Sequence, residues 1–359
     1  DERLWRQAQL LLPADEAAER MLQHPYGQIV YGQRLMGDAV AQKRTELAAA
    51  FAAGRLDADQ VYLLALLTPE HRRREVLVHQ ASTMPVPSAF ALRERALLAA
   101  KEGRIRLAMQ LVEVAAKRAP SSRTVHQSRL EIAALAGAAA EVDAAYLALS
   151  RLEPWTIGHL LYFVGFRGGT DKTSRNRIRA FVQESERAFG TVVAAHHRRV
   201  LAGATAYYEG ALDVFKQQVQ SVPGWRLDAQ LSSGDDWEAA LQTAQATSTD
   251  EVHILALLVG AHRAGENEVV AGARALLAQR APATAALLTS PAAARLEHMR
   301  TRQEGLTLYG ARLLALSALV DDPDAQSAWR REAERLLVFR MPPQHVFDGV
   351  LGEQAAPTP

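Results

Sequence analysis

Apolar residues return every three or four positions along most of the chain, a spacing that is typical of α-helices with one buried face. The segment 92–154 shows this spacing best. Leu92, Ala96 and Leu97 predict one helix, and a second helix is predicted over residues 105–118. Strict alternation of apolar and polar residues, which predicts strands, forms no convincing segment. We therefore predict an all-α chain without a sheet.

Glycine and proline punctuate these helices at a constant interval. Gly103 and Pro120 recur as Gly137 and Pro154, 34 positions later in each case. A glycine forms the left-handed C-terminal cap of one helix, and a proline ends the next helix because it cannot donate a backbone hydrogen bond. This interval is the length of a two-helix repeat unit.

A fainter third copy follows later in the chain, where Gly265 and Pro282 are 17 positions apart, as Gly103 and Pro120 are. Any alanine-rich hairpin can place glycine and proline near its turns, which is the alternative interpretation. The pattern resembles a tetratricopeptide repeat, in which glycine ends the first helix, small residues mark helix contacts and proline closes the second helix. The matching residues are Ala96, Gly103, Ile105, Ala108, Ala115, Pro120, Gly137, Tyr146 and Pro154.

The later copies depart from that family. The usual aromatic residue is absent from the first helices, and Val142 and Val270 stand where alanine is usual. The resemblance implies an α-solenoid of antiparallel helical hairpins in a right-handed superhelix. It further implies a non-catalytic scaffold or adaptor that binds a peptide or protein segment in a groove lined by the first helices. The groove residues expected from it are Arg93, Lys101, Gln127, Glu131, Val259, His262 and Arg263.

Changes in composition divide the chain into regions. Met84-Pro85-Val86-Pro87 predicts a boundary before the regular repeats, and clusters at 223–225 and 231–236 predict turns. We predict an irregular helical region over 1–87, two repeats over 88–154, a central helical region over 155–248 with a polar loop at 167–174, helical hairpins over 249–343 with the degenerate repeat, and a tail over 344–359.

Charge and composition exclude several classes of function. The net charge is +1, so no nucleic-acid partner is expected. The absence of cysteine excludes disulfides, thiolate catalysis and Cys-type zinc sites, and no apolar run is long enough to span a membrane. The chain starts at Asp1, which fits a mature exported protein or a shortened chain. A periplasmic or secreted location is therefore favoured over the cytoplasm, and the oligomeric state stays open.

Candidate chemistry is sparse. The loop 165–173 resembles a phosphate-binding loop but has Asp171 where glycine should precede Lys172. Adjacent His196 and His197 cannot chelate one metal ion together, and no metal or cofactor is expected. One alternative function is an enzyme or binding protein that acts on an anionic polymer, such as a polysaccharide, at a central basic cleft. Another is a structural assembly subunit. The possible anion-binding residues are Arg167, Lys172, Arg175 and Arg177.

Overall fold

The computed structural model describes residues 38–166, 171–219, 222–247, 249–288, 305–319 and 323–336. Every regular element in these residues is a helix, and they contain no strand, so the predicted all-α fold is confirmed. The chain divides between Leu152 and Glu153 into two compact units. The predicted tail over 344–359 lies outside the described residues.

Seven helices of the first unit are described, and three of them begin at a side-chain cap. The Asp57 carboxylate accepts the Gln60 N–H at 2.8 Å, while the Gln60 side chain accepts the Asp57 N–H at 3.1 Å. Ser88 and Ser122 cap the helices that begin at Ala89 and Arg123. The helices are α1 (Asp38–Ala52), α2 (Ala58–Leu67), α3 (His71–Thr83), α4 (Ala89–Lys101), α5 (Ile105–Arg118), α6 (Arg123–Leu135) and α7 (Ala139–Leu152).

Two hairpins of this unit share one register. Helices α4 and α6 each have 13 residues and begin 14 positions before Gly103 and Gly137. Helices α5 and α7 each have 14 residues and begin two positions after those glycines. Gly103 has φ 78° and Gly137 has φ 65°, the left-handed region that side chains disfavour. Both predicted glycine caps are therefore confirmed.

The helices of the first unit pack mainly on their neighbours along the chain. In addition, α2 contacts α4 and α4 contacts α6, so the first helices of successive hairpins lie side by side. Ala96, Ala108 and Ala115 are completely buried, which fits the small residues predicted at helix contacts. The helices on both sides of residues 84–87 belong to this same unit.

The second unit contains ten described helices. They are α8 (Ile157–Phe166), α9 (Lys172–Tyr208), α10 (Leu212–Val219), α11 (Pro223–Ser233), α12 (Trp237–Ala246), α13 (Glu251–Ala264), α14 (Asn267–Arg280), α15 (Pro282–Leu287), α16 (Leu306–Leu319) and α17 (Pro323–Leu336). Besides sequential contacts, α13 packs against both α11 and α16. Helix α13 is thus the central element of this part of the unit.

The hairpin of α13 and α14 repeats the register found in the first unit. Helix α13 begins 14 positions before Gly265, and the 14-residue α14 begins two positions after it. Gly265 has φ 78°, as Gly103 does. The backbones before Pro120 and Pro282 also agree, with φ/ψ of −128°/63° at Ala119 and −136°/64° at Ala281. Three hairpins therefore share the same turn geometry, and two of them share the same end geometry.

Helix α9 is interrupted at Gly190, whose φ of 80° and ψ of 179° are not helical. Ser185 and His197, on opposite sides of this break, are hydrogen-bonded at 2.7 Å, so the two arms of α9 lie against each other. The first arm begins at Lys172, three residues earlier than the sequence predicts. The reason is Asp171, whose carboxylate accepts the N–H groups of Thr173 and Ser174 at 2.8 and 3.2 Å.

The turn clusters predicted at 223–225 and 231–236 are partly wrong, because helix α11 spans Pro223–Ser233. Pro223 occupies the first turn of this helix, where its missing N–H costs nothing. The helix ends at Gly234, which has φ 64°. Only the second half of the later cluster is a turn.

Close approach between α12 and α13 depends on a glycine. A Cβ atom added to Gly260 would overlap the Trp237 ring. Because the interior is closely packed, we expect Gly260→Ala to lower the free energy of unfolding by about 2 kcal/mol. Gly158→Ala is the control, since its added Cβ meets only Thr156 Cγ2 at 3.9 Å. Urea denaturation should separate the two variants, and equal midpoints would contradict this packing.

Candidate binding surfaces and buried polar sites

Half-buried positions recur in the same register on the first helices α4 and α6, and two of the three recurring pairs lie one helical turn apart. Phe90 and Arg93 on α4 are half-buried, and so are Thr124 and Gln127, which follow them by 34 positions on α6. No residue of α4 or α6, both described in full, is exposed. We call these four residues the first-helix patch, a surface that a ligand lying across the two helices could contact.

Contacts within the first-helix patch hold it in place. The Nε of Arg93 donates to the carbonyl oxygen of Thr124 at 3.2 Å and to Ser128 Oγ at 2.7 Å, which joins α4 to α6. The Phe90 ring stacks on Tyr62 of α2, with centroids 6.2 Å apart and 16° between the planes. The patch is therefore rigid, which lowers the entropy lost when a ligand binds.

The other predicted groove residues lie in different environments. Lys101 is 2% exposed and Glu131 is 4% exposed, so both side chains belong to the interior of the first unit. In the second unit Val259 is completely buried, whereas His262 and Arg263 are exposed near the end of α13. The structure thus brings Arg93 and Gln127 to one accessible surface and leaves His262 and Arg263 on another.

Ion pairs join successive hairpins of the first unit. Arg74 of α3 donates through Nη2 to Glu94 Oε1 of α4 at 2.8 Å. Arg129 of α6 donates through Nη2 to Glu113 of α5 at 2.9 Å and to Glu141 of α7 at 2.6 Å. The Arg129 side chain is only 14% exposed, so these bonds are partly shielded from water. Two of these pairs link the second helix of one hairpin to the first helix of the next.

A cleft of about 440 Å³ opens between α1 and the start of α2. Apolar side chains form its floor, and Lys43 and Glu46, 2.9 Å apart, lie at its edge. It could accept one side chain of a bound segment, but not a whole helix. Its lining residues are Lys43, Glu46, Leu47, Ala50, Arg55, Leu56, Gln60 and Leu63.

The predicted anion-binding residues lie at the start of α9. Lys172 and Arg175 are exposed, and Arg177 is half-buried, while Arg167 lies outside the described residues. Residues 172–199 contain seven basic and two acidic residues, a net charge of +5 in a chain with a net charge of +1. The basic character is therefore spread over both arms of α9 rather than gathered at its first turn.

Ser185 and His197 form the only contact of the described chain that resembles part of a hydrolase site. Ser185 Oγ lies 2.7 Å from His197 Nδ1. Burial, helped by the neighbouring His196, lowers the pKa of His197, so this imidazole is neutral at pH 7. However, Ser185 is completely buried and out of reach of a substrate. We assign this contact to the closure of the α9 hairpin.

An imidazole at the start of α13, with its side chain 15% exposed, lies between two carboxylates. His253 Nε2 is 2.9 Å from Asp228 of α11, and its Nδ1 is 2.6 Å from Asp250, the N-cap of α13. Burial alone would lower the pKa of His253, but the hydrogen bonds and charges of the two carboxylates raise this pKa to about 10. His253 is therefore a cation at pH 7 and links α11 to α13.

Glu251, which follows Asp250 in the chain, forms a second, partly buried ion pair in the same place. Arg312 of α16 donates through Nε and Nη2 to the Glu251 carboxylate at 2.5 and 2.6 Å, and the Thr284 hydroxyl donates to it at 2.6 Å. The Arg312 side chain is 7% exposed. The start of α13 is therefore a polar junction that connects this helix to α11, α15 and α16. Its charged groups form ion pairs and hydrogen bonds with one another.

Among the described residues no group of three potential ligands could hold a metal ion. No helix in the described part of the chain is long and apolar enough to cross a membrane. No protein-family model, curated protein or solved structure matches the chain. The function must therefore be argued from the geometry of this chain alone.

Sequence reasoning missed the polar junction at the start of α13. Asp250 and His253 are three positions apart after Thr249, a typical helix start that could have been recognised as a cap. The partners on other helices could not have been recognised in this way. Asp228 is 25 positions before His253, and Arg312 is 61 positions after Glu251. Nothing local in the sequence marks these distant pairs.

Proposed function

We propose that this chain is a non-catalytic scaffold that binds a peptide or protein segment along the first helices of its hairpins. One observation supports this most directly. Helices α2, α4 and α6 lie side by side, and α4 and α6 present residues of equal register. A row of equivalent positions suits an extended or helical segment, because successive side chains of the segment meet equivalent neighbours.

The first-helix patch has the composition expected for such a ligand. The Phe90 ring offers an apolar face, and the Gln127 amide can both donate and accept hydrogen bonds to a peptide backbone. The half-buried Arg93 adds a cation beside them. We therefore expect a ligand with an apolar side chain next to an acidic or polar one. In this proposal α4 and α6 share a register because each is the first helix of a tetratricopeptide-like repeat.

The proposal is tested by selecting binders from a random peptide library against the full chain and measuring their affinity by calorimetry. We expect Gln127→Arg to weaken the selected peptides about tenfold, since a bulky cation would displace the amide contacts. Gln110→Arg is the matched control, because Gln110 is exposed on the second helix α5. If no peptide is enriched, or if both variants bind equally, the first-helix patch is not the binding surface.

A further inference from the structure

The interruption of α9 carries an exposed apolar corner. Phe189, Val192 and Val193 are 48%, 80% and 36% exposed. They are three of the seven large exposed apolar residues in the described part of the chain, and they fall within five consecutive positions. Because the two arms of α9 lie against each other beyond Gly190, this corner is a convex tip. We call these three residues the apolar tip.

Local contacts hold the apolar tip in shape. The Phe189 ring meets the Trp155 ring edge-on, with centroids 4.8 Å apart. Ser185 and His197 join the two arms, and Glu186 and Arg198 approach to 3.8 Å. The exposure of Val192 is thus a feature of a closed hairpin, so its side chain is available to a partner.

Basic residues accompany the apolar tip on both arms. Arg187 is exposed on the first arm, two positions before Phe189. Lys172, Arg175 and Arg179 are also exposed, but they lie about 15 to 25 Å before Phe189 along the helix. Arg198 and Arg199 are exposed on the second arm. Two of the seven basic charges in 172–199 are offset by Glu184 and Glu186, which leaves the net charge of +5.

An anionic lipid surface would use both features. A soluble polyanion would bind the basic residues, but the exposed valines would add nothing to its affinity. A purely apolar protein groove would bind the valines, but the surplus of cations would add nothing to its affinity. A convex tip of aliphatic and aromatic side chains can enter the boundary between headgroups and acyl chains, while nearby arginines attract anionic headgroups. We propose that the apolar tip enters an anionic membrane surface, with Arg187, Arg198 and Arg199 holding the headgroups and the more distant basic residues of α9 adding long-range attraction.

Flotation of the full chain with lipid vesicles tests this inference. We expect binding to vesicles that contain phosphatidylglycerol, weaker binding to pure phosphatidylcholine, and a decrease as salt rises. Val192→Asp should lower partitioning about tenfold, because a charge would replace an inserted valine. Arg187→Glu should lower it by a similar factor, because the reversal removes two units of attractive charge beside the tip.

Matched variants control for indirect effects. Val86→Asp changes another exposed valine, 65% exposed, and Arg72→Glu with Arg73→Glu reverses two exposed charges of α3. Both controls should partition as the unmodified chain does. Since the chain lacks cysteine, Val192→Cys can also be labelled uniquely with an environment-sensitive dye, and vesicles should shift its emission to the blue while leaving Val86→Cys unshifted.

Two results would overturn the inference. One is an unmodified chain that stays unbound to anionic vesicles at low salt. The other is partitioning into vesicles that falls when arginine is replaced but is unchanged by Val192→Asp, together with retention on heparin that responds to the variants in the same way. That second pattern would assign α9 to soluble polyanions bound by charge alone.

Discussion

Arg312→Met is expected to lower the free energy of unfolding by about 4 kcal/mol, because it leaves the Glu251 carboxylate buried without its cation. Both carboxylate oxygens accept bonds from Arg312, at 2.5 and 2.6 Å, and the guanidinium side chain is only 7% exposed. Urea denaturation followed by far-ultraviolet circular dichroism measures the change.

The exposed pair of Arg330 and Glu334 provides the control. Their side chains are 42% and 47% exposed and lie 3.2 Å apart, so Arg330→Met should change the free energy of unfolding by less than about 0.5 kcal/mol. Combining Arg312→Met with Glu251→Met should restore much of the loss, since no buried charge then lacks a partner. A loss that is equal in the single and double variants would mean that the arginine contributes packing rather than charge compensation.

Raising the pH from 6.5 to 9 is expected to lower the free energy of unfolding by about 3 kcal/mol through His253 alone. The pKa of His253 is raised from 6.5 to about 10 in the folded chain. The unfolded chain thus loses this proton near pH 6.5, while the folded chain retains it. The stabilisation is fully present below pH 6.5 and disappears as the pH rises through 10. Thermal unfolding at a series of pH values measures the slope.

His253→Asn should remove this slope and lower stability at pH 6, because Asp228 and Asp250 then face a neutral partner. His262→Asn is the matched control, since His262 is exposed on the same helix, and its slope should equal that of the unmodified chain. A stability profile that is flat from pH 6.5 to 9 in the unmodified chain would rule out the buried imidazolium.

Local signals predicted a large part of the fold. The helix predicted over 105–118 is confirmed at both ends, because the glycine before it and the proline after it act within a few residues. The polar start of α9 was predicted three residues late, since a capping aspartate was taken for part of a loop. Helix α11 was missed because Pro223 and Gly224 resemble a turn when their context is unknown.

The candidate sites were less predictable than the helices. Arg93 and Lys101 are eight positions apart on one helix, and their spacing does not reveal that Lys101 is buried while Arg93 reaches Ser128. Side-chain exposure depends on the neighbouring helices, which the register of a single hairpin does not specify. The apolar tip was missed for a similar reason, since its valines resemble core residues until the break at Gly190 exposes them.

The ion pairs between hairpins also fix the order in which the hairpins can stack. The order of acid and base is reversed between two successive contacts of the first unit. Glu94 of α4 pairs with Arg74 of α3, whereas Arg129 of α6 pairs with Glu113 of α5. If the second hairpin took the place of the first, Ser128 would stand where Glu94 meets Arg74, because these two positions are 34 apart, and Arg74 would lose its acidic partner. An exchange of two helical pairs of nearly identical length therefore costs an ion pair, which disfavours misassembled or swapped stacks.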